Sequence, residues 1–342
     1  MFCPNITDIE TVLHDYHIKA KVKSFSEIQR YHYEQDDPDS KEEVRLIVKV
    51  DLEEASPLVV RFKNESDVTL ELMESQCLFA KALLDNGIQT PKQYQTDGKF
   101  AKWYLIGGYD VIVTVEQFVE NEIKVVDALT AEKTGVLLAK MHNISQEYDL
   151  HVNNEVLFDP FADNDLFEFE VFRSLEASLD AEDKALFDRI SAKYQDYLEV
   201  LSPLRASPRY AVQGDISDCN LYLADSGEIG VFDFNRSGDN ILYCDAVMQA
   251  VFEARLMDYP EDRGADFEAV ILEAFLRGYR SVRSFSEEEQ KMYPYLYAII
   301  TAFWRFDMRW GDDSLLNAHK NGDSQRVHEW LLTIWDRLAS VD

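Results

Sequence analysis

Apolar and polar residues alternate through "EVRLIVKVDLEEASPLVVRFK". The alternation predicts two strands, Val44 to Leu52 and Leu58 to Lys63, joined by a turn around Ala55-Ser56-Pro57. In the second strand Leu58, Val60 and Phe62 share one face, and Val59, Arg61 and Lys63 share the other. The earlier stretch "KAKVKSFSEIQRYHYEQ" has the composition of one or two further strands, and "DDPDSKEE" that of a loop. From Ser66 to Asn86 the period changes. Leu70, Met73, Cys77, Ala80 and Leu84 fall at helical spacing, and Gly87 is placed to stop the helix. "WYLIGGYDVIVTVEQFVE" reads as two more strands around Gly107-Gly108. The opening unit is expected to be a small antiparallel sheet with one helix inserted after a strand.

Beyond about Val119 helical spacing dominates. "LTAEKTGVLLAKMHNI" predicts a helix with Thr130 as N-cap and Glu132 in the first turn, where the helix dipole favours an acid. "AEDKALFDRISAKYQDYLEVL" carries Leu186, Ile190, Tyr194, Tyr197 and Leu201 on one face. Further amphipathic segments cover 246–256, 267–279, 293–306 and 327–338. A sheet-rich part followed by a helical part predicts an α+β protein of two lobes, residues 1–118 and 119–342, with a cleft between them.

One stretch interrupts the helical pattern: "VQGDISDCNLYLADSGEIGVFDFN", residues 212–235. Asp215 and Asn220 lie five apart around a small polar turn, followed by a strand, Leu221 to Leu223. After a turn at Asp225-Ser226-Gly227, a second apolar run, Ile229 to Phe232, ends in Asp233. Taken singly, Asp215, Asp218 and Asp225 are ordinary turn residues. Together the positions supply more. An Asp on a polar turn accepts a proton from an attacking hydroxyl, and an Asn and a second Asp offer the hard oxygen ligands that Mg2+ prefers. A base and a two-residue metal clamp are the minimal equipment for phosphoryl transfer.

Composition narrows the partners. The formal net charge of −30 argues against nucleic acid and anionic membrane surfaces, and is compatible with a cationic ligand. The four cysteines, Cys3, Cys77, Cys219 and Cys244, show no CxxC spacing and read as reduced thiols of a cytoplasmic protein. No basic stretch followed by an apolar one opens the chain, and the longest apolar run, Tyr295 to Trp304, is too short to cross a bilayer. The histidines, His14, His17, His32, His142, His151, His319 and His328, form no metal-ligand spacing.

The residues of the 212–235 stretch resemble the aminoglycoside phosphotransferase and choline kinase group of small-molecule kinases, which share the protein-kinase-like fold. The catalytic loop of that group reads H-G-D-x4-N, followed by a strand ending I-D-x-x-R-x-G and a later Asp. The matching segments here are "QGDISDCN", "VFDFNRSG" and "CDAV". "VLLAKMHNI" is similar to the family helix ending in Leu-His, and "FAKALLDNGIQTPK" to its helix-Gly-x-x-x-Pro connection, so the likeness covers roughly residues 40–250. The resemblance implies a phosphotransferase using ATP (or GTP) and Mg2+. Asp215 would be the catalytic base, Asn220 and Asp233 the Mg2+ ligands, and Asp245 a structural acid bracing the loop.

The resemblance also implies a strand cation for the nucleotide phosphates. Arg61 is favoured by the pattern "LVVR", with Lys63 on the same face as second choice. The acid orienting that cation would come from the following helix, as Glu74 or alternatively Glu71. Main-chain groups near Gln117 to Val119, in "VEQFVEN", would bind the adenine edge. Two features depart from the family. Its catalytic-loop His is Gln213 here, and "VKSFSEIQ", the stretch expected over the phosphates, contains no glycine.

For the acceptor, "FDPFADNDLFEFE" carries Asp159, Asp163, Asp165, Glu168 and Glu170 without a basic residue. Acids interleaved with aromatics suit a cationic amine, and a solvated acidic loop is the competing explanation. Trp304, Asp307 and Trp310 are candidates for a further wall of that pocket. The expected function is phosphoryl transfer to a hydroxyl of a small cationic molecule resembling an aminoglycoside, choline or homoserine. A nucleotide-binding pseudokinase is the alternative, motivated by Gln213 and the glycine-free stretch. A metal-dependent hydrolase built on Asp215 and Asp233 would need further ligands at short spacing, which the sequence lacks.

Overall fold

The computed structural model describes residues 1–31, 43–162, 169–216, 220–256, 264 and 266–341. Its first elements are α1 (Ile6–Asp15), β1 (Val22–Tyr31), β2 (Val44–Leu52), β3 (Leu58–Asn64), α2 (Leu70–Asp85), β4 (Ala101–Ile106) and β5 (Tyr109–Gln117). The chain continues through α3 (Ala128–Glu147), α4 (Phe169–Ser174), α5 (Ala181–Leu201), β6 (Tyr210–Val212), β7 (Leu221–Leu223), β8 (Ile229–Val231) and β9 (Gly238–Asn240). It closes with α6 (Leu242–Leu256), α7 (Phe267–Val282), α8 (Glu287–Ala302), α9 (Leu315–Lys320) and α10 (Ser324–Ala339). Contacts group the chain into two units. The first comprises Met1–Ile123, His151–Asn153 and Asn220–Asn235, and the second Lys124–Leu150, Asn154–Cys219 and Arg236–Asp342.

In the first unit β1 to β5 form one antiparallel sheet in the order β1-β2-β3-β5-β4. The alternation read in the sequence decides its two faces. Leu58, Val60 and Phe62 of β3 join Leu46, Val48, Val50, Val111, Val113 and Val115 beneath Ile9, Val12 and Leu13 of α1 and Tyr16, its C-cap. Helix α1 is an addition to the expected single helix. Its signal was present in the apolar spacing of Ile9, Val12 and Leu13 and in the reciprocal cap between Asn5 and Asp8. The other sheet face carries Ala101 and Ile112 against Met73 of α2. Arg61 and Lys63 lie on this second face of β3, which β2 and β5 flank, so both cations are buried.

The β7–β8 hairpin belongs to the same unit. Ile123 N donates to Leu221 O (2.9 Å), Leu223 N to Asn121 O (2.9 Å) and Val231 N to Gln89 O (2.9 Å), so the hairpin is stitched to Gln89 and to the segment just after β5. Register Leu221↔Val231 and the bond from Phe232 N to Asn220 O (2.9 Å) set Asn220 and Asp233 at the same end of the hairpin.

Among the described residues the second unit is built from helices with one short strand pair, β6–β9. All five residues expected on the inner face of α5, from Leu186 to Leu201, are buried. The cap of α3 falls three residues earlier than expected: Asp127, not Thr130, is the N-cap, and its carboxylate accepts from Thr130 N (2.7 Å). Helices α3 and α7 approach at glycines. A Cβ on Gly135 would lie 2.0 Å from Phe275 O, and one on Gly278 1.9 Å from Glu132 O, so no larger residue fits at either crossing point. That approach brings Tyr279, next to Gly278, against His142 of α3. Among the described residues no helix is long and apolar enough to cross a membrane.

Candidate active site

In the first unit the candidate residues converge on the turn after β8. Asp233 is a non-glycine residue at φ +56°, a left-handed conformation that only surrounding structure sustains. That surrounding structure is visible. Asn235 N donates to Asp233 Oδ1 (3.3 Å), Gln76 Nε2 to Asn235 O (2.8 Å) and Lys63 Nζ to Asn235 Oδ1 (2.7 Å). Between them, Phe234 packs edge-on against Phe79 of α2, with ring centroids 5.7 Å apart.

Arg61 sits beside this turn. Its Nε (3.1 Å) and Nη2 (2.8 Å) both donate to Glu116 Oε1, while the other Glu116 oxygen accepts from Gln93 Nε2 (2.7 Å). Its Nη1 lies 3.6 Å from Asp233 Oδ2 and has no hydrogen-bond partner among the described residues. Burial pushes the Asp233 carboxyl up, but Arg61, then Lys63, outweigh it, and the group is held below the ordinary carboxylate range. For Lys63 the balance reverses. Burial, reinforced by Arg61 and Arg45, pushes its pKa down to about 8.

In the second unit β6 leads directly into Gln213-Gly214-Asp215. Gly214 has φ +80°, and a Cβ there would come 2.6 Å from Arg236 O, so the loop turns where only glycine fits. Gln213 is fully buried, and its side-chain Oε1 accepts from Asp215 N (2.8 Å). The next amide, Ile216 N, donates to Gln249 Oε1 (3.0 Å). Gln249 Nε2 donates to Asp245 Oδ1 (3.2 Å), and the other Asp245 oxygen lies 3.0 Å from His142 Nε2. His142 Nδ1 lies 2.9 Å from Tyr279 Oη. Burial lowers the His142 pKa against the pull of Asp245, so the ring is neutral. A proton on Nε2 donated to Asp245, with Nδ1 accepting from Tyr279, then satisfies every partner.

These placements revise part of the sequence-based expectation. Arg61 and Lys63 both reach the Asp233 turn, Arg61 through its guanidinium and Lys63 through Asn235. Among the described residues no ion pair joins Glu74 to Arg61 or Lys63. Glu74 Oε2 accepts from Phe100 N (2.7 Å) and Ala101 N (3.0 Å), which ties α2 to β4, and Glu71 is exposed. At the expected adenine edge, Gln117 N donates to Lys92 O (2.9 Å) and Phe118 N to Pro57 O (3.0 Å). Those two amides are occupied, and among the described residues the N–H of Val119 has no backbone partner.

The "VKSFSEIQ" stretch forms most of strand β1, paired with β2, and the "DDPDSKEE" stretch expected as a loop lies, save for Glu43, outside the described residues. Asp159 is paired internally. Its Oδ2 accepts from Arg209 (2.7 Å), and Oδ1 from Phe161 N (2.9 Å). Asp163, Asp165, Glu168 and Asp218 lie outside the described residues. Asp307 accepts from Arg337 (2.6 Å), Arg305 covers the Trp310 ring at 4.1 Å, and Trp304 is buried.

Sequence reasoning missed Glu116, Gln93, Gln76, Asn235 and Gln249. Only Glu116 left a clear trace, as an acid inside the apolar strand "VIVTVEQ", on the face of Thr114 and opposite that of Val113 and Val115.

A family model described as the phosphotransferase enzyme family matches residues 42–285. No curated protein reached a significant match to the chain. Among solved structures, a microcompartment-associated aminopropanol kinase superposes with TM-score 0.64 at 15% identity, covering 98% of each chain. An aminoglycoside phosphotransferase from Alicyclobacillus acidocaldarius gives TM-score 0.60 at 12% identity, covering 100% of this chain and 96% of that one. An amicoumacin kinase in complex with AMP-PNP, Ca2+ and Ami gives TM-score 0.59 at 16% identity, over 96% of this chain and 94% of its own. All three share the protein-kinase-like fold with this chain.

Proposed function

We propose that this chain, which belongs to the phosphotransferase enzyme family, transfers the terminal phosphoryl group of ATP to a hydroxyl of a small, cationic molecule. The observation that carries the reading is the Asp233 turn: a carboxylate kept ionised at positive φ, with the buried Arg61 guanidinium 3.6 Å away. A magnesium–nucleotide complex fits these residues. Asn220 and Asp233 offer hard oxygen ligands at one end of the hairpin, and Arg61 Nη1, which makes no hydrogen bond among the described residues, offers a donor to a phosphate oxygen. When bound, Mg2+ neutralises charge on the phosphates.

The remaining roles belong to protein groups. Asp215 accepts the proton of the acceptor hydroxyl as that oxygen bonds to phosphorus and the bond to the ADP oxygen breaks. Gln213 and Gln249 hold the amides of Asp215 and Ile216, so the carboxylate stands on a fixed backbone. Gln213 thus does loop-supporting work in the place of the family His. In this reading residues 1–118 bind nucleotide, through main-chain groups near Val119 for the adenine edge, and 119–342 carry the base and the acceptor site. The cationic acceptor rests on the −30 net charge, because Asp159 and Asp307 are each neutralised by an arginine. A cytoplasmic location fits an ATP-dependent reaction.

The test is ADP formation with Mg·ATP across a panel of amines, amino alcohols and aminoglycosides. At least one acceptor should raise ADP release well above the background ATPase rate. ATP binding without stimulation by any acceptor would favour the pseudokinase.

A further inference from the structure

We propose that Glu116 of β5 is the positioning residue that orients the strand cation Arg61 towards the nucleotide phosphates, the task expected of an acid on helix α2. The inference rests on the phosphotransfer reading and adds a residue to it. Three observations support it. First, two guanidinium nitrogens, Nε at 3.1 Å and Nη2 at 2.8 Å, donate to one Glu116 oxygen, while Gln93 Nε2 holds the other at 2.7 Å. A carboxylate gripped from both sides cannot rotate, so it fixes the plane of the guanidinium. Second, this grip leaves one corner of Arg61, Nη1, in an ion pair but free of hydrogen bonds among the described residues. That nitrogen is buried and lies 3.6 Å from Asp233 Oδ2. Arg61, Glu116 and Asn235 also line a cavity of about 20 Å3, enough for one water. The donor left over is the one a phosphate oxygen would use. Third, Glu74 is committed to the amides of Phe100 and Ala101.

The pairing has a structural consequence. Arg61 and Glu116 sit on hydrogen-bonded neighbours β3 and β5, on one sheet face, where Val59 pairs with Glu116 and Arg61 with Thr114. The acid that orients the cation therefore lies within the sheet, on the strand beside it.

The test compares affinity for Mg·ATP with affinity for adenosine, which lacks phosphates. Glu116→Gln should weaken ATP binding about ten- to a hundredfold, the scale of a lost charge-assisted hydrogen bond, and leave adenosine affinity within about twofold. Gln93→Leu keeps the charge and releases one oxygen, so a smaller loss confined to ATP is expected. It carries the test alone should Glu116→Gln not fold. Glu74→Gln should lower Tm and leave the ratio of ATP to adenosine affinity unchanged. Equal losses of ATP and adenosine affinity in Glu116→Gln or Gln93→Leu, no loss in either variant, or an ATP-specific loss in Glu74→Gln would overturn the inference. A wild type that binds ATP no more tightly than adenosine contradicts the phosphotransfer reading itself, and this inference with it.

Discussion

Around Asp233 the protein gathers buried charge: Arg61 at 3.6 Å, Glu116 bonded to Arg61, and Lys63 bonded to Asn235 two residues on. Around Asp215 it uses amides, with Gln213 and Gln249 on two successive backbone N–H groups and one acid, Asp245, behind them on a neutral histidine. The two devices have different energetics. Charges withdrawn from water stay ionised only while their partners remain, so the first cluster carries a standing desolvation penalty and responds to pH. Neutral amides carry little such penalty; they fix geometry through hydrogen bonds alone. The charged cluster is suited to a polyanionic ligand that enters and leaves, and the amide clamp to a loop that holds one shape.

Four predictions bear on this contrast, from the largest expected effect to the smallest. Asp233→Ala should reduce Mg2+-dependent turnover on the order of 10³-fold, and Asn220→Ala by less, because a carboxylate neutralises the ion and an amide offers only a dipole. Steady-state rates across a Mg2+ titration check the order of the two.

Asp245→Ala strips acceptors from both His142 and Gln249 in a fully buried site, so unfolding stability should fall by on the order of 3 kcal/mol. Urea denaturation measures it. A loss below about 1 kcal/mol would mean the clamp tolerates rearrangement.

Lys63 is the sharpest probe of the charged cluster. Its folded pKa of about 8 lies below the ordinary 10.5. Between these values the unfolded chain holds a proton that the folded protein lacks, so Lys63 makes stability rise with pH across this window, and the full penalty applies below it. Lys63→Met should remove that rise and gain about 2–3 kcal/mol at pH 7 relative to wild type. Denaturation curves from pH 7 to 10 compare the two proteins. A less stable Lys63→Met would show that the bond to Asn235 outweighs desolvation.

Gln213→Leu should cost about 1 kcal/mol, since it leaves the Asp215 N–H without its side-chain acceptor, and should lower kcat several-fold with little change in KM for ATP. Gln213→His restores the family residue, and should return most of the rate if loop support is all that the position supplies.

Much of the fold was legible because it depends on period. The alternation in β3 put Arg61 and Lys63 on one face, and the spacing in α5 named its buried residues, each decided by local geometry. The hairpin from Leu221 to Asp233 was legible for the same reason, with Gly227 at φ +81° in its turn. What escaped depends on register and distant partners. Glu116 meets Arg61 because β3 pairs with β5 across 55 residues of sequence, and Asp159 meets Arg209 across 50. Gln249 reaches Ile216 from a separate helix, 33 residues on. Glu74 had the expected position on α2, yet two unpaired N–H groups at the start of β4 claimed its carboxylate, a demand invisible in the sequence of the helix itself.

In the proposed reaction Asp215 takes the proton of the acceptor hydroxyl. The most direct measurement compares wild type and Asp215→Asn for acceptor-dependent kcat alongside Mg·ATP affinity. Asn keeps the shape of the side chain and loses its charge. General-base removal is expected to lower kcat by ~10²–10⁴-fold while ATP affinity changes by only about a few-fold. Equal turnover by wild type and Asp215→Asn would contradict the assignment and require another group to take the proton.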